Sequence, residues 1–196
     1  MPTGVAIRDP RQQLFDAAER ILLRDGPSAL TSRAVTTEAG CAKGVLHRHF
    51  TDFDDFLAEL VRDRIAQVDD LAATLKESAG AGTVLGNLTA ALNSVFDGVA
   101  VAVVGLVIFR DELRTRLRVD RPTGIPLMTE MAAMIAGYLE AERAVGRVAA
   151  DAEVEVLAPT LIGAAHLLFA DRGAPAPDKA AVRGVVVTVV GNSLSQ

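Results

Sequence analysis

The apolar positions near the start of the chain fall on one helical face. Leu14, Ala17, Ala18, Ile21 and Leu22 follow the i, i+3, i+4, i+7, i+8 spacing. They predict a first helix opening at Arg11, with Pro10 tolerated at its start, and ending at Gly26-Pro27. Val35 and Ala39 sit four apart, as do Leu46 and Phe50, which predicts two short helices over 31–39 and 43–50. Thr31 or Ser32 caps the first of these. Gly40 ends it, in a left-handed conformation that only glycine adopts cheaply. Thr51 and Asp52 then break the chain before a long helix over 54–78. Beyond the break at Gly80-Ala81-Gly82, the pattern predicts helices at about 83–97, 99–117, 125–144, 152–170 and 178–194. Glu112 and Arg116, four apart, support the second of these. The valine-rich segments 99–109 and 184–190 fit buried strands by propensity alone. Their helical neighbours, and the lack of a flanking hairpin turn, favour helix. The reading is an all-α chain of about nine helices. Residues 1–53 form a three-helix head with a helix-turn-helix, and residues 54–196 form a helical body.

Charge changes the picture. The net charge of −5 argues at first against a nucleic-acid partner. Its distribution argues the other way, because residues 1–50 hold seven Lys/Arg against five Asp/Glu while the remainder carries the acidic excess. With Leu46 and Phe50 turned inward, the outward side of the third helix carries Lys43, Val45, His47, Arg48 and His49. A small basic surface on a short helix suits the major groove of double-stranded DNA. An acidic body then helps to orient the approach. Composition adds less. Half of the 196 residues are hydrophobic and Trp is absent, so Ala, Val and Leu build the core. The single cysteine, Cys41, excludes an intrachain disulfide and a multi-cysteine zinc site, and fits a cytoplasmic setting. No signal peptide is expected at the start of the chain. The longest apolar run, Val99–Phe109, falls far short of the roughly 20 residues that cross a bilayer, so no membrane partner is expected.

The candidate DNA contacts are Thr31, Ser32, Arg33, Ala42, Lys43, Val45, His47, Arg48 and His49. Any one charge among them could equally be a solvated surface group; the helix-turn-helix frame favours contact. Arg33 is placed for a bidentate guanine contact, which gives roughly 1–3 kcal/mol of discrimination. Thr31 and Ser32 are caps first and phosphate ligands second. Val45 suits a thymine methyl, or is a plain surface valine. Residues 1–9 form an arm in which Arg8 can reach phosphate or minor groove. His47 and His49 lie two apart and face different ways, which argues against a metal site, and no cofactor is expected. Charging them beside phosphate tightens operator binding as pH falls from 8 to 6.

In the body, Phe96, Val103, Val107, Met128, Met131, Met134, Ile135, Tyr138, Leu161, His166 and Phe169 fall on helices that could enclose a cavity for a small apolar effector, or simply form core. Tyr138 and His166 are the obvious polar groups for orienting a ligand, and Glu140 and Glu142 read as solvated. Leu157, Leu161, Ala164, Ala165 and Leu168 form one stripe; Val182, Val185, Val186 and Val189 form another. These stripes either close a two-fold four-helix bundle with a second copy or complete the protomer's own core. Pro159 should kink its helix.

The first 57 positions resemble the tetracycline-repressor (TetR) family of bacterial transcription regulators. The resemblance rests on Leu14-Phe15-Asp16-Ala17-Ala18, Leu22-Leu23-Arg24-Asp25-Gly26, Leu30-Thr31-Ser32-Arg33-Ala34-Val35, the run Ala39 to Phe50, and Phe56-Leu57. It implies a DNA-binding head, a body that pockets a small molecule, and a homodimer built on the last two helices. Four positions depart from the family's usual residues. Ala42 stands for a Ser that caps the recognition helix, Val45 for Thr, and His47 and Phe53 for a Tyr and a Lys that touch phosphate. The implied function is a ligand-responsive regulator, a repressor of a palindromic operator. The rival readings are a helical interaction protein with a degenerate head, and a helical enzyme. Against the enzyme, the chain carries no Ser/His/Asp set, ExxH pair, P-loop or dinucleotide fingerprint.

Overall fold

The computed structural model describes residues 9–96, 98–120, 122–171 and 175–195. The arm with Arg8 lies outside the described residues, as do Asp97, Arg121 and residues 172–174 in the expected breaks. Among the described residues the chain forms ten α-helices. They are α1 (Pro10–Asp25), α2 (Ser32–Glu38), α3 (Gly44–His49), α4 (Phe53–Glu77), α5 (Val84–Val95), α6 (Gly98–Phe109), α7 (Asp111–Leu117), α8 (Met128–Ala144), α9 (Val154–Phe169) and α10 (Lys179–Val190). A 3₁₀ turn, Pro27–Ala29, joins α1 to α2. β pairing among the described residues is one bridge, Val148 to Leu194.

Local chemistry sets the helix ends. Asp9 accepts from the backbone N–H groups of Arg11 and Gln12, and Pro10 occupies the first turn of α1. The Thr31 hydroxyl accepts from Ala34 N at 3.2 Å and caps α2. Gly40 ends that element at φ +65°, in the left-handed region. Asp52 accepts from Asp55 N at 2.8 Å, and Asp55 in turn accepts from Thr51 N at 2.8 Å, so the entry to α4 is closed from both sides.

The expected helix over 99–117 is two helices. Arg110 has extended backbone between α6 and α7, and its side chain reaches Asp54 at 2.8 Å. Arg116 pairs with Asp52, sixty-four residues away, rather than with Glu112. The two tertiary ion pairs thus flank the break between the helices. Both valine-rich segments are helical. Eight of the twelve residues of α6 are buried, so it is a core helix with no polar face. Pro159 lies inside α9, which runs through it from Val154 to Phe169.

The head packs α1 against α2 and α3, and the body packs α4, α8, α9, α10 and α5 in turn. Buried side chains form one contiguous cluster through both. The joint between them is α6, which lies across α1 and the 3₁₀ turn. A Cβ at Gly98 would stand 2.8 Å from Leu23 Cδ2, the end of a half-exposed side chain that can turn aside. A buried polar chain closes the far end of the body. Tyr138 donates to Glu142, Asn87 donates to the Tyr138 oxygen at 2.9 Å, and Gly80 N donates to Glu142 at 3.2 Å. Glu142 is fully buried rather than solvated, with Arg147 3.3 Å from its carboxylate. Burial and the neighbouring carboxylate push the Tyr138 hydroxyl well above its usual range.

Candidate nucleic-acid interface and body cavity

An aromatic cluster holds the head rigid. Phe50 meets Phe56 edge-on at 5.1 Å, and both pack on Phe15 at 5.9 and 5.7 Å. Leu46 and Phe50 are buried, which fixes the rotation of α3 about its axis. The cations of α1 are tied down. Arg20 and Arg24 pair with Glu38 at 2.9 and 3.1 Å, and Arg11 pairs with Glu59 at 2.7 Å. The two arginines hold the Glu38 carboxyl below its usual range. Gln13 Nε2 donates to Ala39 O at 3.1 Å and fastens α1 to the turn between α2 and α3.

The fixed helices present a different set of cations outward. Arg33, Lys43, His47, Arg48 and His49 are exposed, with Thr31 and Ala42 beside them. Among the described residues none of Arg33, Lys43 and Arg48 has an ion-pair partner. Val45 is half-buried against the core, not fully free on the surface. Ser32 Oγ is buried and unpartnered, since Thr31 does the capping. No side chain caps α3, whose N-cap position is Lys43, directly after Ala42. Phe53 stacks on Phe56 at 5.6 Å, with the Arg110 guanidinium 5.6 Å from its ring centre. The residue that stands where the family usually has Lys thus joins head to body.

A cavity of about 640 Å³ lies between the 3₁₀ turn, α6 and the C-terminal end of α9. Pro27 and Ser28 line it from the 3₁₀ turn, Val101, Ala102, Gly105, Leu106, Ile108 and Phe109 from α6, and Arg110, His166 and Ala170 complete the lining. Of the expected ligand residues, His166 reaches it; Phe96 and Phe169 stack on each other 5.5 Å apart, with Phe96 6.2 Å from the His166 ring. Val103, Val107, Met131, Ile135, Tyr138 and Leu161 are fully buried, and Met134 nearly so. Met128 packs partly buried against that core. The Tyr138 hydroxyl is fully used by Asn87 and Glu142. The cavity opens on the opposite wall of α6 from the one periodicity suggested, and sequence gave no signal for Gly105 or Arg110 as lining residues. His166 Nδ1 is buried without a partner, and burial lowers that imidazole's affinity for a proton.

On the last two helices, Leu161, Ala165, Val182 and Val186 turn into the protomer's core and are fully buried. Leu157, Ala164, Leu168, Val185 and Val189 are half-buried at its edge. The exposed apolar side chains are their neighbours: Val156 and Leu167 on α9, the latter 77% exposed, and Val187 on α10. Among the described residues, no group of three or more His, Cys, Asp or Glu is placed to hold a metal ion, and no single helix is long and apolar enough to cross a membrane.

The comparisons agree with this architecture. Residues 14–60 match the model of the bacterial regulatory proteins of the tetR family. The HTH-type transcriptional repressor KstR2 of Rhodococcus jostii is 26% identical over 148 residues, covering 74% of this chain and 71% of that protein. The fatty acid degradation regulator FadR of Bacillus halodurans superposes with a TM-score of 0.72 at 17% identity, covering 93% of this chain and 95% of that one. FadR of Bacillus subtilis, solved with stearoyl-CoA, superposes with a TM-score of 0.69 at 17% identity, covering 91% and 97%. The family match covers the helix-turn-helix head, residues 14–60, and for the all-α body the likeness is one of fold.

Proposed function

We propose that the protein is a homodimeric transcriptional repressor that binds a palindromic operator and releases it when a small, largely apolar effector enters the body. The observation that carries this reading is the contrast among the head's cations. Those on α1 are paired within the protein, whereas Arg33, Lys43 and Arg48 stand exposed on rigid helices. Exposed cations at the end of a helix-turn-helix match the negative edge of a duplex, with phosphate contacts giving affinity and Arg33 giving base readout. The partly buried Val45 supports the orientation of α3 more than a thymine contact.

The exposed Val156, Leu167 and Val187 support a second copy across α9 and α10, a two-fold arrangement with one patch facing itself. Two heads related in this way require half-sites about one helical turn, or a multiple, apart. The cavity has a volume in the range of small-molecule sites. The named relatives include a repressor and an acyl-CoA-bound regulator, which fits the same scheme. Operator and effector must then weaken each other by equal factors.

A gel shift of the purified chain on the DNA upstream of its own coding gene tests the reading. A retarded band with two protomers per palindrome supports it. No retention at low salt, or binding by a single protomer, contradicts it.

A further inference from the structure

The cavity wall carries a few polar side chains. Most of its wall is apolar, from Pro27, Ala102, Gly105 and Phe109. Two nitrogen-bearing side chains interrupt that wall. His166 Nδ1 is buried with no hydrogen-bond partner, a state that buried polar atoms rarely keep unless something else satisfies them. Among the described residues Arg110 is the charged side chain that lines the cavity, and no carboxylate lines it. Arg110 is also the pin of the joint, paired with Asp54 at 2.8 Å and set over Phe53. Asp54 lies in the first turn of α4, two residues before Phe56, whose ring packs on Phe50 at the end of α3.

We propose that this cavity binds an amphipathic carboxylate, with its apolar body against α6 and its carboxylate on Arg110, and that the ligand acts by taking Arg110 from Asp54. Asp54 holds Arg110 through Nε, and a ligand carboxylate that takes the edge carrying Nε displaces it. His166 donates from Nδ1 to an oxygen of the same ligand. Losing the Arg110–Asp54 pair frees the start of α4 from α6 and unlocks the orientation of the head that the operator selects. This rests on the regulator reading for its consequence, though not for the binding itself. Competition makes a prediction that simple packing does not: removing the Asp54 charge improves ligand binding.

The chain has no Trp, so Phe109→Trp places a single indole at the cavity wall. Decanoate with 1-decanol, and 4-cyclohexylbutanoate with 4-cyclohexylbutanol, are titrated below micellar concentrations and followed by indole emission. At least one carboxylate is expected to shift the emission saturably and to bind at least tenfold tighter than its alcohol. Asp54→Asn is expected to tighten the carboxylate about threefold or more and to leave the alcohol unchanged. Arg110→Gln should erase the preference, and Gly105→Leu should block both ligands of the pair. Circular dichroism checks that each variant folds; if Arg110→Gln does not, Asp54→Asn carries the test.

Equal binding of acid and alcohol, no saturable shift with either acid, or unchanged carboxylate affinity in Asp54→Asn overturns the proposal. A gel shift with the bound carboxylate separates the two readings. Retention of operator at saturating carboxylate overturns the coupling and leaves DNA binding intact. Carboxylate selectivity without any operator binding overturns the regulator reading and leaves the site intact.

Discussion

The head and the joint below it use arginine in opposite ways. On α2 and α3, Arg33 and Arg48 stand exposed, held outward by an aromatic cluster beneath them. At the joint, Arg62, Arg110 and Arg116 are each matched to an aspartate: Asp120 at 2.7 Å, Asp54 at 2.8 Å, and Asp52. One residue type thus stands open to solvent in one region and is paired within the fold in the other. The difference lies in what the fold leaves unmatched. An unpaired cation on a rigid surface is available to a partner, whereas a paired one holds a contact within the fold. Exposed pairs contribute little to stability, about 0–1 kcal/mol each, so the joint can switch without unfolding the chain.

The sharpest way to break this contrast is to loosen the platform under the exposed cations. Phe56→Ala removes the ring that contacts Phe15, Phe50 and Phe53. It should cost about 3–5 kcal/mol in denaturant unfolding. A loss under 1 kcal/mol would mean that the aromatic cluster does not set the head. Next in size, Arg33→Ala should cost about 1–3 kcal/mol of operator discrimination while leaving the melting curve nearly unchanged. A large fall in stability instead would put Arg33 with the structural arginines. A smaller effect sharpens the comparison from the other side. Ala42→Ser supplies the side-chain cap that α3 lacks and should add about 0.5–1 kcal/mol to stability; no gain in the urea midpoint would show that the start of α3 is held by other means.

The smallest expected effect concerns pH. Burial holds the His166 imidazole below its ordinary value of 6.5. Between that lowered value and 6.5 the unfolded chain binds more protons than the folded one, so stability falls as pH drops through this window. His166→Leu should flatten that slope in urea titrations at a series of pH values. Identical slopes for the two proteins would show that the ring is not desolvated in solution.

The head was legible in the sequence because its signals are local. Thr31 as a cap, Gly40 as a left-handed stop, and the inward pair Leu46 and Phe50 each act within one or two helical turns. The body was less legible because its decisive contacts are distant in the chain. α6 is buried on nearly every side, so its apolar pattern has no period from which to read a lining face. Arg116 looked satisfied by Glu112 nearby but reaches Asp52 across sixty-four positions. Glu142 looked solvated, yet Tyr138, Gly80 and Arg147 enclose it. Phe53 was noticed as a lost phosphate contact, while its gained contact with Arg110 needed the assembled joint to be seen.

The central claim is that the exposed cations of α2 and α3 meet a duplex, and the salt dependence of operator affinity tests it most directly. Each phosphate contact contributes a slope of about −0.9 in log affinity against log salt. In a two-fold dimer, Lys43→Ala or Arg48→Ala should therefore flatten the slope by about 2, whereas Arg20→Ala, whose cation is already paired with Glu38, should leave it unchanged. Equal slopes for wild type, Lys43→Ala and Arg48→Ala would contradict the account.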